Sequence, residues 1–426
     1  MSAIEGRKII DPDPVVALNS RTNIPVESLT HHDSETCVLR VPNSGDISNI
    51  FGTNSSTLDF IIGYGGASDL DTVDQLALCF TCAASAGAGN TSLNFLGLIE
   101  HIEFQANGQL LDSIFSQNLI DELQLLPSEV LQSIGPGIGL QTQDVGASST
   151  YMRPNVVLAP SAVYKFQLPI FNSVFTCPGF SPRAVSDQLR IRVFFNPGTY
   201  AQMSNSAKAA TTVTCTKAEL LLSGRKYSSA LRTIKDAERA GKKQVLPTMI
   251  RRYYSKTQGT LTANQEQTES VSFLNGRFVS ASFWLSKPVN PTIPESLYQV
   301  DATNSLTQSS FNLDKLTLVD SQGRPCSWVD GLDADFQRLA LGSYQLDNQA
   351  HTIMRHYIFS FASDLSEEYW TNSTKMDRKI DGLYNLRYTP DANFYTGGPV
   401  TLYGAALQAA SLVIDESGSI RLFTLE

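Results

Sequence analysis

Two cysteines separated by two residues, Cys79 and Cys82, form the one pattern in the sequence whose spacing could bind zinc. Zinc takes four ligands in structural sites, and no second pair at a matching spacing accompanies these two. The nearest histidine, His101, is isolated, and side chains three residues apart on a strand point to opposite faces. Six cysteines in 426 residues are also too few for a disulfide framework. We therefore predict buried, reduced thiols and no metal or other cofactor.

The other groups capable of catalysis are not spaced as an active site requires. His31-His32 precedes Asp33 in a polar stretch without further ligands, and Glu367-Glu368 and the pair Asp333 and Asp335 are acidic neighbours. Glycosidase carboxylates are brought together by the fold rather than by adjacency, so such pairs predict nothing by themselves. The sequence has no nucleophile elbow, no phosphate-binding glycine-rich loop and no His-Glu-x-x-His motif. We predict that the protein is not an enzyme.

The strongest local charge lies near the middle of the chain, in the segment Arg225–Lys256. It carries ten basic and two acidic residues, a net charge of +8, in a chain whose total is −9. Its first part reads as a helix that begins at Ser228 or Ser229 and ends at Gly241. The apolar face of this helix is predicted to consist of Leu231, Ile234 and Ala237. The segment is either a solvated linker or a surface facing nucleic acid, a membrane or an acidic neighbour.

The composition favours a large β-protein with packed cores. Apolar residues make up 42% of the sequence and charged residues only 17%, while 28 Gly and 19 Pro provide many turns. A chain of 426 residues suits two or three domains. The net charge of −9 argues against nucleic-acid binding by the chain as a whole. The sequence has no apolar run near 18 residues and no apolar stretch after its first charges, so we expect neither a membrane span nor secretion.

The elements that must position these residues read as strands, and their order repeats. Leu96–Ile114 alternates apolar and polar residues, turns at Asn107-Gly108 and alternates again, which is typical of a β-hairpin. Phe311–Trp328 repeats the pattern. When the two stretches are aligned with a shift of one residue, Gly323 corresponds to Gly108. A helical excursion, Ser116–Gly135, is predicted after the first hairpin.

Two later markers recur in the same order. In each half, a tyrosine in one predicted strand is followed by a proline directly after the next predicted strand. The spacing is 33 residues in both halves, from Tyr164 to Pro197 and from Tyr357 to Pro390. We interpret the chain as one fold present twice, the alternative being two unrelated sandwiches. The predicted class is all-β, with two tandem eight-stranded jelly-roll β-sandwiches (a double jelly roll) and a few short helices. The predicted boundaries are an N-terminal arm at 1–34, jelly roll 1 at 35–226, a basic inter-domain helix and linker at 227–250, and jelly roll 2 at 251–426.

Four stretches carry a resemblance to one protein family. They are the hairpin Leu98–Gln109, the strand-loop-strand Tyr164–Phe195, the strand and helix at Lys217–Ile234, and the closing strands at Gly382–Ile414. In these stretches and in their order, the chain resembles the double jelly-roll major capsid proteins of icosahedral double-stranded DNA viruses, of the polinton-like virus and virophage type.

The resemblance implies a structural role. Three chains would form a homotrimer with a pseudo-hexagonal base, and such capsomers would tile the shell of a virion assembled inside the host cell. The partners would be neighbouring capsomers, penton and minor capsid proteins, with packaged DNA or an internal membrane on the inner face. In this setting we predict a basic surface that faces the capsid interior and consists of Lys242, Lys243, Arg251 and Arg252.

A second class of function stays open at this point, a two-sandwich carbohydrate-binding or glycoside-active protein. Such a protein would need exposed aromatic residues beside carboxylates. The three tryptophans, Trp284, Trp328 and Trp370, lie mostly in strand-like stretches, which gives this alternative no support.

Overall fold

The computed structural model describes residues 34–51, 55–63, 70–85, 91–93, 95–116, 118–119, 122, 133–139, 141–144, 150–153, 156–170, 174–177, 179–196, 202–203, 213–286, 313–325, 357–360, 378–380, 384–392 and 398–424. The predicted N-terminal arm, the acidic pairs at 333–335 and 367–368, Trp328, Trp370 and most of the predicted excursion Ser116–Gly135 lie outside these residues. Among the described residues, no helix combines the length and the apolar character needed to cross a membrane.

The first half of the described chain consists almost entirely of strands. They are β1 (Ser34–Pro42), β2 (Ser56–Gly63), β3 (Thr72–Ala84), β4 (Thr91–Leu93), β5 (Ile99–Ala106), β6 (Gln109–Phe115), β7 (Gln141–Asp144), β8 (Thr150–Arg153), β9 (Val156–Leu158), β10 (Val163–Ile170), β11 (Leu189–Phe195), β12 (Gln202–Met203) and β13 (Val213–Tyr227). A short helix α1 (Phe95–Leu98) and 3₁₀ turns at Ile47–Asn49, Gly135–Ile138 and Pro182–Ala184 interrupt them.

The second half begins with helix α2 (Ser229–Arg239) and continues as strands. They are β14 (Gln244–Thr260), β15 (Gln267–Val271), β16 (Gly276–Ser286), β17 (Leu313–Val319), β18 (Tyr357–Ser360), β19 (Arg378–Ile380), β20 (Tyr384–Pro390), β21 (Pro399–Ile414) and β22 (Ile420–Thr424).

Eight strands of the first half form two antiparallel four-stranded sheets, with the orders β1-β13-β3-β10 and β2-β11-β5-β6. When only these eight strands are numbered in chain order, the first sheet contains strands one, eight, three and six. The second sheet contains strands two, seven, four and five. The chain therefore crosses repeatedly between the sheets, which is the connectivity of a jelly roll. The inner faces alternate as a sandwich requires: along β11, Leu189, Ile191, Val193 and Phe195 are buried and the residues between them are not.

The second half repeats this connectivity. Its sheets have the orders β14-β21-β16-β18 and β15-β20-β17, which are strands one, eight, three and six and strands two, seven and four of the same scheme. After β17 the chain turns back, and Pro325 bridges Val319 at the place of the fifth strand. In addition, β19 pairs with β16 and β22 pairs with β21. Two tandem jelly rolls in an all-β chain are thus confirmed.

The two turn glycines occupy equivalent places. Gly108 (φ +80°) joins β5 to β6, and Gly323 (φ +78°) follows β17. The strands β5 and β17 pair with β11 and β20, the seventh strand of each sandwich. Both turns need a left-handed backbone that glycine adopts without steric cost, so the same residue recurs for the same reason. The prediction that the two hairpins are equivalent is confirmed.

Candidate functional site

The joint between the sandwiches contains the basic segment, and it starts with α2. The Ser228 hydroxyl accepts a hydrogen bond from the Leu231 N–H at 3.2 Å, and Gly241 (φ +68°) follows the last turn, so the predicted start and end are confirmed. The predicted apolar face is wrong, because Ile234 is 50% exposed and Lys235 is buried instead. The Lys235 ammonium reaches a Glu238 carboxylate oxygen at 2.9 Å, three residues away, and this pairing makes its burial tolerable.

A buried carboxylate, Asp71, fastens this helix to the first sandwich. Its oxygens accept hydrogen bonds from Arg232 Nη2 at 2.8 Å and from the Tyr227 backbone N–H at 2.8 Å. Arg183 Nε, from the 3₁₀ turn before β11, lies 3.3 Å from the same carboxylate. Because the Asp71 side chain is only 3% exposed, two guanidinium groups compensate the desolvation of its charge.

A second buried cluster joins the two sandwiches directly. Arg251 of β14 places Nε 2.6 Å from Glu122 Oε1 and Nη1 3.3 Å from Asp112 Oδ2. Its backbone N–H also donates to Asp112 Oδ1 at 3.1 Å. The side chains of Arg251 and Asp112 are both 1% exposed, and that of Glu122 is 4% exposed. Burial raises the pKa of Asp112, while the Arg251 charge acts in the opposite direction.

This cluster corrects the predicted basic surface. Arg251 is not a surface residue, because two acids of the first sandwich neutralise it inside the joint. Arg252 is exposed, and its Nε donates to the Gln408 side-chain oxygen at 2.6 Å. Lys242 and Lys243 are exposed between α2 and β14, and neither makes an ion pair with any residue that the structure describes. The sequence analysis did not identify the two acids of the joint. Asp112, which directly follows Leu110-Leu111 in the predicted hairpin, could have indicated one of them.

Lys242 lines a cleft of about 560 Å³ at the joint. Its other charged lining residues have both signs: Arg183, Asp236, Arg239, Asp415 and Glu416. The turn between β21 and β22 forms one wall and contacts the first sandwich, since the Ser186 N–H donates to the Gly418 carbonyl at 2.9 Å. The Asp187 carboxylate accepts from the Ser419 hydroxyl and from the Ile420 N–H at 3.0 and 2.9 Å. The C-terminal hairpin therefore anchors one sandwich to the other.

Aromatic rings form the apolar part of the joint. On the first sandwich, Phe194 stacks on His101 and His101 on Phe115, with ring centroids 4.1 and 5.2 Å apart. Phe115 then stacks on Tyr253 of the second sandwich at 4.3 Å. Beyond it, Trp284 stacks on Tyr403 at 5.6 Å. Pairs of this geometry add about 0.5–1.5 kcal/mol each to the burial of the rings.

The two cysteines of the Cys-x-x-Cys pattern both lie on strand β3. Cys82 is buried, as predicted, whereas Cys79 is half-buried on the other face of β3. Burial, followed by the nearby Glu219 charge, raises the pKa of Cys79 to about 11. Cys82 lies directly opposite Cys215 of β13. Over the described residues, no three His, Cys, Asp or Glu side chains are grouped closely enough to hold a metal ion.

Comparison of the sequence with protein-family models found no match, and a search of curated proteins found none either. Comparison of the structure found PBCV-1 VP54, in a crystal structure fitted into a reconstruction of the virophage Sputnik, with a TM-score of 0.61 at 12% identity. That match covers 91% of this chain and 97% of the other. The chain has the double jelly-roll fold.

Two further structures share the double jelly roll. The Faustovirus major capsid protein matches with a TM-score of 0.57 at 12% identity, over 92% of this chain and 91% of that one. A chain of the Sputnik virophage matches with a TM-score of 0.56 at 10% identity, over 92% and 88%. Because these matches cover both sandwiches, the likeness includes their tandem arrangement and is not confined to one jelly roll.

Proposed function

We propose that the protein is a major capsid protein and has no enzymatic role. The observation that carries the proposal is the repeat itself, two sandwiches of one connectivity fixed side by side by a buried joint. Three such chains present six similar sandwiches, so a closed homotrimer approximates six-fold packing and can tile a shell. The family likeness of the fold supports this role, since the similar structures include a Faustovirus major capsid protein.

In this proposal the homotrimers are pseudo-hexameric capsomers of an icosahedral double-stranded DNA virus. They contact neighbouring capsomers, penton proteins and minor capsid proteins in a virion assembled inside the host cell. Packaged DNA or an internal membrane lies beneath the inner face. The exposed Lys242 and Lys243 face this interior, together with Arg252, whereas Arg251 holds the joint.

The size of the purified protein tests the capsomer. Light scattering after gel filtration should give three times 46.5 kDa or larger assemblies, and negative-stain images should show pseudo-hexagonal particles. A monomer at every concentration, without particles in virus preparations, would contradict the proposal.

Charge removal tests the inward surface separately. The double variant Lys242→Gln/Lys243→Gln should keep the trimer but weaken assembly or genome retention, because several exposed contacts to phosphate act together. Arg324→Gln, at an exposed arginine in the turn after β17, is the control and should have no effect. Equal behaviour of the two variants would contradict the inward assignment.

A further inference from the structure

Two cysteines of the first sandwich face each other across neighbouring strands. Cys82 of β3 and Cys215 of β13 are direct partners in the antiparallel register. Residues that lie directly opposite each other point to the same face of a sheet, and these two are 1% and 5% exposed on the inner face. Within the part of the chain that the structure describes, Cys37 and Cys79 also lie on strands, but neither has a cysteine as its register partner.

The backbone geometry of this pair suits a disulfide. Directly opposite residues of antiparallel strands have Cα atoms about 4.5–5.5 Å apart. A disulfide joins residues whose Cα atoms are about 4.4–6.8 Å apart, so the strands need not separate or slide for the bond to form. The thiols are already in contact: Cys82 donates a hydrogen bond to the sulfur of Cys215, and Cys215 donates to the Lys217 carbonyl at 3.4 Å.

The hydrogen bond between the thiols gives them different reactivities. Accepting this bond lowers the pKa of the Cys215 thiol, while donating it raises the pKa of the Cys82 thiol. The thiolate is the nucleophile, so Cys215 reacts first with an oxidant and Cys82 then attacks the product. Burial instead raises the pKa of Cys79 to about 11 and that of Cys177 to about 12, which makes both less reactive.

The pair lies at the end of the first sandwich that is remote from the joint. Cys82 is two residues from the end of β3, and Cys215 is two residues from the start of β13. Strand β13 continues to Tyr227, where α2 follows, so the pair is roughly 40 Å from the joint at the rise of a strand. In the proposed function the exposed lysines after α2 face the capsid interior. The cysteine pair then lies at the outward end, which solutes of the surrounding medium reach.

We propose that Cys82 and Cys215 form a redox-active pair that closes into a cross-strand disulfide when the protein meets a peroxide. The Cys215 thiolate attacks one oxygen of hydrogen peroxide, the O–O bond breaks, and hydroxide leaves as a sulfenic acid forms on Cys215. The Cys82 sulfur then attacks the Cys215 sulfur, the S–O bond breaks, and hydroxide leaves with the Cys82 proton as water. In total, two thiols and one peroxide give one disulfide and two waters, and the two electrons of the thiols reduce the peroxide.

The disulfide stabilises the first sandwich after assembly. It ties β3 to β13 and closes a loop of 133 residues, which restricts the unfolded chain. The reducing interior of a cell keeps the thiols apart, whereas the medium outside a cell allows the bond to form. This timing rests on the proposed function, because it requires a particle that is assembled inside the cell and then released. The chemistry of the pair itself does not depend on that role.

Peroxide treatment of the purified full-length chain tests the pair directly. After the remaining thiols have been blocked, peptide mapping without a reductant should find the peptides of Cys82 and Cys215 joined, with a mass two hydrogens lower. Thiol titration in denaturant should fall from six groups to four, and dithiothreitol should restore six. Calorimetry should show the thermal midpoint of the first sandwich rising by at least about 5 °C.

Serine variants provide the controls. Cys79→Ser, on the same strand but on its other face, should behave as the unchanged chain. Cys215→Ser should give neither the joined peptides nor the rise in thermal midpoint. Cys82→Ser keeps a hydroxyl that can donate to Cys215, so peroxide should leave a sulfenic acid on Cys215 that a cyclic 1,3-diketone traps. If a serine variant fails to fold, peptide mapping of the unchanged chain still decides the proposal.

Three results would overturn the proposal while leaving the capsid role intact. They are an unchanged thiol count, a disulfide between other cysteines, and a joined pair without a rise in thermal midpoint. Blocking thiols before lysis should find the pair reduced in particles inside cells and joined in released particles, and equal states in both would contradict the timing. A chain that forms the disulfide but stays monomeric would instead contradict the proposed capsomer.

Discussion

Replacing Arg251 by methionine should destabilise the joint more than any change of a surface charge. The substitution keeps most of the side-chain volume but leaves Asp112 and Glu122 without their cation, at side-chain exposures of 1% and 4%. Removing one partner of a buried ion pair costs about 3–5 kcal/mol, because the remaining charge is neither hydrated nor compensated. Arg192→Met is a matched control, since its bidentate pair with Asp59 is 32% and 26% exposed and should contribute only about 1 kcal/mol or less.

The loss of stability caused by Arg251→Met should depend on pH, and its direction can be derived. The pKa of Asp112 is already raised by burial, and removal of Arg251 takes away the charge that lowers it. A carboxyl group with a raised pKa in the folded state favours folding while it is protonated. This contribution to stability is complete below the unfolded pKa of about 3.9, and it is lost as the pH rises through the folded pKa. The defect of the Arg251 variant should therefore be largest at neutral pH and smaller at about pH 4.5.

Urea unfolding followed by tryptophan fluorescence at both pH values measures the effect. Adding Asp112→Asn and Glu122→Gln to Arg251→Met should recover at least half of the loss at pH 7, since neutral amides need no cation. The amide that replaces the Asp112 carboxylate in that triple variant can still accept the backbone N–H of residue 251. A loss at pH 7 no larger than that of Arg192→Met, or one that is independent of pH, would refute the reasoning.

Other features of the joint and turns give further expectations. Asp71→Ala should cost about 1–3 kcal/mol and speed tryptic cleavage of the interdomain linker, because Arg232 loses its buried acceptor; unchanged cleavage would contradict this. Gly108→Ala should cost about 1 kcal/mol in urea unfolding from its left-handed backbone alone. Gly418→Ala should cost more, about 2–4 kcal/mol, because a Cβ would lie 2.8 Å from the Ser186 nitrogen; equal losses would be unexpected. Burial raises the pKa of Cys177 to about 12, so this thiol should react with an aromatic disulfide at pH 8 only after unfolding, as mass spectrometry of the labelled peptide can show. A chelator should leave the thermal midpoint unchanged, and a shift of several degrees would reveal a metal site.

The architecture could be predicted from the sequence because its signals are local. Alternation of apolar residues, the turn glycines Gly108 and Gly323, and the cap Ser228 each act within a few residues of themselves. Their order along the chain then revealed the repeat, since equivalent strands need equivalent patterns. Even the double burial of β21 is visible as a nearly unbroken run of apolar and small residues, although the run does not say what covers it.

The joint was decided by the tertiary structure alone. The segment Arg225–Lys256 reads as an uncompensated charge of +8, but the acids that neutralise Arg251 are 139 and 129 residues away in the sequence. An ion pair between residues so far apart in the sequence produces no periodic pattern near either residue. The sequence analysis therefore predicted Arg251 on a surface, whereas the fold buries it. Ile234 shows the reverse case, an apolar residue at helical spacing that the fold leaves exposed. The sequence by itself determined which elements form and in what order, because those depend on neighbouring residues. Which charges meet, and which face of each sandwich is covered, depends on how the two halves pack, and only the tertiary structure decides that.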